Sequence, residues 1–181
     1  MEKIIMKNYN HKNYPKAIIK LKPSKTIEGE VGAFALKIFK KGEVIVKTTE
    51  FKDDNLMSVS EYNKLDKNTK ELVKAHSTIT IDILYVPENI NHIKPCNYFN
   101  HSCKPNVGFN ANDDYIAIKN IAKGDELFLD YSFLNTNPDY KIKCSCKSKN
   151  CRGIITGNEW KKIEFCKKYG KYFASNLREL L

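Results

Sequence analysis

Cys144, Cys146 and Cys151 stand with one and four residues between them in the stretch CSCKSKNCRG. Three thiolates that close together suit Zn²⁺, which favours soft sulfur and tetrahedral geometry, but three ligands do not close a structural site. A fourth must come from elsewhere, and Cys96, Cys103 and Cys166 are the choices. Cys103 sits in a turn-rich loop, whereas Cys166 falls on the apolar face of a helical pattern. A second concentration of chemistry is NYFNHSCKPN, residues 97–106, in which Asn100, His101, Ser102 and Cys103 are consecutive. Cys103 can be a nucleophile served by His101, a metal ligand, or a small buried thiol. The nucleophile needs His101 within hydrogen-bond reach, and the turn predicted over Ser102-Cys103-Lys104-Pro105 argues against that alignment.

These residues need a scaffold, and its pattern is mostly β. Residues 17–47 alternate short β-prone runs with turns at Pro23-Ser24, Gly29 and Lys41-Gly42, which predicts a meander of three strands. Over 58–76, Ser58 with Glu61 and Asn68 with Glu71 have capping-box spacing, predicting an inserted pair of short helices. β-Type text resumes at TITIDILYV (78–86) and continues through YIAIK (115–119) and ELFLDY (126–131), with Asn112-Asp113-Asp114 as a hairpin turn. Beyond a linker-like stretch after Tyr131, apolar residues from Trp160 to Leu180 recur at three- and four-residue steps, predicting a helix over 159–181 with Asn158 as N-cap. Its apolar stripe should pack on the domain.

The 181 residues, 41% of them apolar, suffice for one domain with a core. Lys and Arg outnumber Asp and Glu 31 to 21, giving a net charge of +10 that favours polyanionic partners without naming one. No window approaches ~18 uninterrupted apolar residues, and the first residues lack a secretory pattern. An intracellular protein of cytoplasm or nucleus is therefore expected, with metal rather than disulfides as the use of its clustered cysteines.

NYFNHSCKPN, then KGDELFLDY (123–131), then CSCKSKNCRG, resemble the SET-domain family of protein lysine methyltransferases with its post-SET zinc motif. Upstream, GEVGAFALKIFKKGEVI (29–45) is similar to that family's first motif. The resemblance spans about residues 18–155, and four motifs in the family's order make it specific. It implies a mainly β, SET-type β-clip fold of several small sheets with short helices and a knot-like C-terminal threading, followed by a small zinc-bound segment and a C-terminal helix. The implied organisation is an N-terminal extension (1–17), the SET domain (18–132, with the inserted helices), a linker and post-SET segment (133–155) and the terminal helix (156–181).

Carried over by position, the resemblance makes Val31 and Gly32 backbone contacts for S-adenosylmethionine, with Tyr98, Asn100 and His101 on its other side. Tyr131 becomes the active-site tyrosine, also beside the cofactor, and Cys103 joins Cys144, Cys146 and Cys151 around one zinc ion. The implied reaction is methyl transfer to a lysine ε-amine of a protein, with histone tails as candidate substrates and nucleosomal DNA as a partner for the basic surface. Asp53-Asp54 and Asp113-Asp114 could form an acidic groove for a basic tail. The chain departs from the family's pattern at Glu30, where an earlier glycine is usual unless Gly29 fills that role, and at Asn97, where arginine is frequent. Leu129 stands where Phe or Tyr commonly limits methylation, so a product beyond monomethyl-lysine is expected. The competing readings are a zinc-stabilised module that binds nucleic acid or chromatin without catalysis, which leaves Gly32, Asn100, His101 and Tyr131 without a role, and a SET domain that has lost activity.

Overall fold

The computed structural model describes residues 16–48, 54–79, 83–87 and 89–181. The N-terminal residues 1–15 and Asp53 of the proposed acidic groove lie outside them. Four small sheets carry the described residues. Strands β1 (Ile19–Pro23) and β2 (Val31–Ala35) form an antiparallel hairpin. β3 (Val44–Val46) is not the third strand of a meander: it pairs with β9 (Tyr115–Ala117) at the edge of a five-stranded sheet. Proximity in sequence predicted the meander, but Ile45 finds its core on the other sheet.

That sheet runs β3, β9, β8 (Val107–Phe109), β10 (Phe128–Leu129), β7 (Asn100–His101). β10 lies between two strands joined by the short 102–106 connection and is parallel to both, which gives the threaded character that was expected. The connection clasps the inserted strand. Asn106 accepts the Phe128 amide at 2.7 Å and donates to the Glu126 carbonyl at 2.8 Å, while the Ser102 amide bonds the Leu129 carbonyl at 3.0 Å. An internal asparagine can do this because its side chain carries both donor and acceptor.

The insert begins with β4 (Asp54–Ser58) and then α1 (Val59–Lys64), opened by the full Ser58–Glu61 capping box. For α2 (Lys67–His76) the cap is Asp66, not Asn68: its carboxylate takes the amides of Asn68 and Thr69. The run 78–86 is two strands of one antiparallel sheet, β5 (Thr78–Ile79) and β6 (Ile83–Pro87), with β4 on the other side of β6. Val73, Leu84 and Val86 form the insert's own small core.

After β10 a 3-10 turn, Tyr131–Phe133, leads to the antiparallel pair β11 (Lys141–Lys143) and β12 (Ile154–Thr156). The terminal segment is helical but not continuous. It comprises a 3-10 turn at Glu159–Lys161, α3 (Ile163–Tyr169), a 3-10 turn at Gly170–Tyr172 and α4 (Ser175–Arg178). Asn158 precedes the first turn without a side-chain cap. In a straight helix Phe165 and Phe173 would stand ~12 Å apart along the axis, yet their rings lie 5.7 Å from each other and, with Tyr169, all reach the ring of Phe133 at 5.3–6.1 Å. Phe173 and Leu177 are fully buried in the main core with Phe39, Leu127 and Phe133. No helix of the described residues is long and apolar enough to cross a membrane.

Candidate functional site

The turn into β2 supplies the first wall. Ser24 Oγ accepts the amides of Thr26 and Ile27, and Gly29 has φ of +80°, a conformation that disfavours a side chain. Gly29, Glu30 and Val31 then face a cavity of about 450 Å³. Tyr98, Asn100, His101 and Tyr131 also line it, as do Ile142 to Ser145. Gly32 is not on the cavity surface. A Cβ there would meet Glu126 Oε1 at 2.2 Å and Asn100 Nδ2 at 3.2 Å, so the glycine makes room for Glu126. That buried carboxylate accepts the Lys25 amide at 3.0 Å and Asn100 Nδ2 at 3.3 Å. Asn100 also donates to the Val31 carbonyl at 3.0 Å, which ties β7 to the glycine turn.

A second cavity of about 600 Å³ adjoins the first. Leu129, Phe99, Tyr115, Leu134 and Tyr140 make it apolar, whereas Glu71 and Asp139 bring carboxylates to it. Ala75, His76, Asn97, Tyr131 and Ile142 line both cavities. Burial, then the charge of Glu30, push the Tyr131 hydroxyl up to about 12, so it is neutral at physiological pH. Burial, with Tyr131 and Asp130 nearby, pushes Tyr140 up as well. The His76 ring lies 5.4 Å from that of Tyr98 at a tilt of 58°, and its buried Nδ1 has no hydrogen-bond partner among the described residues. Both cavities fall in the size range of small-molecule sites, and an orphaned polar atom at their junction fits a bound polar ligand.

The proposed acidic groove is not formed by Asp113 and Asp114. Asp113, at φ 61° in the β8–β9 hairpin, accepts the Ser175 amide and hydroxyl and pairs with Arg178. Asp114 is buried and accepts the Thr48 amide. Both carboxylates fasten the fold.

Cys103, Cys144, Cys146 and Cys151 bring their sulfurs within 4.8 Å of one another, an arrangement able to hold a metal ion. Zn–S bonds of ~2.3 Å in a tetrahedron put sulfurs ~3.8 Å apart, and Cys103 Sγ lies 3.8 Å from Cys144 Sγ. Cys96 is in the core, and Cys166 donates to the Trp160 carbonyl at 2.7 Å. The thiol donors and their spacing therefore fit zinc.

His101 Nε2 lies 3.5 Å from Cys103 Sγ, which the predicted turn had argued against. A nucleophilic pair still does not result. His101 Nδ1 accepts the Tyr131 amide at 3.2 Å, so the ring proton sits on Nε2 and points at the sulfur as a donor. Burial, reinforced by the Arg152 charge, drives His101 down to about 3 and keeps it neutral, while burial pushes the Cys103 thiol up.

Arg152 and Asp130 were not singled out by the sequence. Arg152 grips both oxygens of the fully buried Asp130 at 2.6 Å, and its amide and Nε donate to Cys103 Sγ at 3.3 and 3.4 Å. Burial raises Asp130 and the guanidinium opposes it. The only available signals were Asp130 beside Tyr131 and Arg152 beside Cys151.

A family profile described as SET domain matches residues 30–132, more than half of the chain. Over 65 residues the chain is 43% identical to Histone-lysine N-methyltransferase 2D of Homo sapiens, covering 32% of this chain and 1% of that protein. It is 36% identical over 69 residues to Histone-lysine N-methyltransferase ash1 of Drosophila melanogaster, 34% of this chain and 3% of that one. With Histone-lysine N-methyltransferase ASHR3 of Arabidopsis thaliana it shares 34% identity over 65 residues, 32% of this chain and 13% of the relative. The matched stretches are thus a small part of each relative's length.

Proposed function

Because the chain belongs to the SET-domain family, we propose that it is a lysine methyltransferase that uses S-adenosylmethionine and modifies the ε-amine of a lysine in a protein. The observation that carries this reading is the placement of Tyr131 on the wall of both cavities. One cavity suits the donor: it has an open backbone turn at Gly29–Val31, with Tyr98, Asn100 and His101 also on its wall. The other suits an acceptor side chain, being apolar around Leu129, Phe99 and Tyr140 with Glu71 and Asp139 available to a basic peptide. Histone tails are the first substrate to try, since the relatives above are named for histone lysines. That choice would make the nucleus the working compartment and give nucleosomal DNA as the partner of the +10 surface.

The cofactor, when bound, supplies an electrophilic sulfonium methyl group. The protein's task is to align a neutral amine with it, which is a matter of orientation and not of charge stabilisation. Neutral Tyr131 steers the amine by hydrogen bonding and has no proton to lose in the working pH range. The apolar cavity disfavours an ammonium and so favours the free amine that attacks. Its lone pair would take up the methyl group that the cofactor supplies, the sulfur keeping the electron pair of the broken bond, and the methylated ammonium would then release its proton. Cys103, Cys144, Cys146 and Cys151 would hold one structural zinc ion, and Cys144 stands among residues 142–145 that line the donor cavity.

The test is transfer of label from radiolabelled S-adenosylmethionine to purified histones, with Tyr131→Phe as control. Label on histone lysines in the wild type and a strong loss in the variant support the reading. Cofactor-dependent label on no protein, with tight binding to nucleosomes, would replace it with the zinc-stabilised binding module.

A further inference from the structure

We propose that Arg152 is a positioning residue that makes the placement of Tyr131 depend on whether the four-cysteine site is filled. The proposal rests on the methyltransferase reading for its consequence, although its geometry stands apart from it.

Two hydrogen-bonded chains run from the Cys103 sulfur to the turn that carries Tyr131. The first passes through His101, from Nε2 at the sulfur to Nδ1 at the Tyr131 amide. The second passes through Arg152. Its amide and Nε sit on the sulfur, and its terminal nitrogen grips both oxygens of Asp130. Asp130 in turn accepts the Ser132 amide at 3.1 Å, and its carbonyl accepts the Phe133 amide at 2.9 Å, which together shape the 131–133 turn. The two chains thus hold the residues on either side of the Asp130–Tyr131 peptide.

An ion held by the four cysteines would fix the Cys103 sulfur in place, and three N–H groups, one of His101 and two of Arg152, converge on that sulfur. Filling the site therefore tightens both chains at their common end. Arg152 is tied to the metal through the backbone as well, since Cys151 precedes it. Asp130 has zero exposure and cannot turn to water when Arg152 loosens, so its turn must shift with it. Lysine would keep the charge but lacks the fork that reaches sulfur and carboxylate together. Arg152 also meets the buried Glu159 at 3.4 Å and lies 4.9 Å over the ring of Phe165, so the terminal segment buttresses the same guanidinium.

The experiment compares the full-length wild type with Arg152→Lys, measuring zinc per chain, cofactor affinity, kcat and KM, and amide hydrogen exchange with and without a zinc chelator. In the wild type, chelation should speed exchange at Ser132 and Phe133 about tenfold or more while Val107 and Leu127 stay protected. Arg152→Lys should keep its zinc and bind cofactor within about threefold of the wild type, yet lose kcat on the order of 100-fold, as a misplacement of about 1 Å at the reacting groups can cause. Its Ser132 and Phe133 amides should already exchange fast and respond little to chelator. Wild-type amides indifferent to chelation overturn the proposal, and so does a kcat loss that only follows zinc loss. Should the lysine variant fail to fold, the wild-type chelation result alone decides. Exchange needs no turnover, so a wild type that transfers no methyl group would overturn the enzymatic reading while leaving this coupling to be judged by its own data.

Discussion

Glu126 occupies the space that a side chain on Gly32 would need: a Cβ there would be 2.2 Å from its Oε1. The carboxylate holds the Lys25 amide and Asn100 Nδ2, so the glycine turn and the β7 strand meet on it. Gly32 is thus tied to the first cavity through the frame behind it and not through its surface.

Gly32→Ala should accordingly destabilise the protein by about 1–3 kcal/mol, the usual cost of overpacking. At this chain length that is a fall in Tm of roughly 2–4 °C per kcal/mol. Combining it with Glu126→Ala should cost less than the sum of the two single changes, because the second removes the clash. Thermal denaturation of the four proteins of this cycle measures the coupling, and strict additivity would contradict the assigned contact.

Removal of the metal is the next test. Cys103→Ser and Cys144→Ser should each lower zinc below one ion per chain, whereas Cys96→Ser and Cys166→Ser should leave it at one, since only the first pair belongs to the cluster. Chelation should weaken cofactor binding together with thermal stability, because residues 142–145 line the donor cavity and Cys144 is among them. Metal analysis and calorimetry read the two effects.

The sequence made the functional centre more legible than the framework around it. Local signals survived folding well: the Ser58–Glu61 box, the Asn112-Asp113-Asp114 turn and the 144–151 thiols all act within a few residues of themselves. What failed depended on distance along the chain. β3 pairs with a strand about 70 residues later, and no local pattern records that choice. Asp66 displaced Asn68 as cap because a carboxylate two residues earlier takes the amides of Asn68 and Thr69, so the helix has already begun when Asn68 is reached. Periodicity from 159 to 181 described one apolar face correctly, yet the concave core around Phe133 broke the helix into pieces. Arg152 and Asp130 were invisible as a pair because each is unremarkable in its own neighbourhood, and only the fold puts a fork against a buried carboxylate.

Tyr131 gives a pH signature with a definite sign. Burial first, and then Glu30, raise its hydroxyl from an ordinary 10 to about 12. Between those values the unfolded chain has released the proton and the native one has not, so this group's contribution to stability falls as pH rises through 10 toward 12. Below pH 10 it contributes no pH dependence. Absorbance titration near 295 nm should show one tyrosine ionising near 12 that is missing in Tyr131→Phe. Any rise in methyl transfer between pH 7 and 9 then belongs to the acceptor amine, and an ionisation of Tyr131 below 10 would refute the assignment.

On the proposed methyltransferase reading, Leu129 sets how many methyl groups fit. It is buried on β10, two residues before Tyr131, and lines the acceptor cavity beside Phe99, Tyr115 and Tyr140. Leucine there carries no hydroxyl to hold the amine or a water in one orientation, and it is smaller than an aromatic ring, so a methylated amine can rotate and present its lone pair again. The wild type should therefore carry its product past the monomethyl state at saturating cofactor. Leu129→Tyr should narrow the cavity and shift the product toward monomethyl-lysine, with the first transfer slowed by less than about tenfold if the tyrosine is accommodated without overpacking. Mass spectrometry of the modified peptide separates the states by their successive additions. A wild type that stops at one methyl group, or a tyrosine variant that still proceeds to three, would show that another wall of the cavity sets the count, and Tyr140, whose hydroxyl is near that of Tyr131, would be the next residue to change.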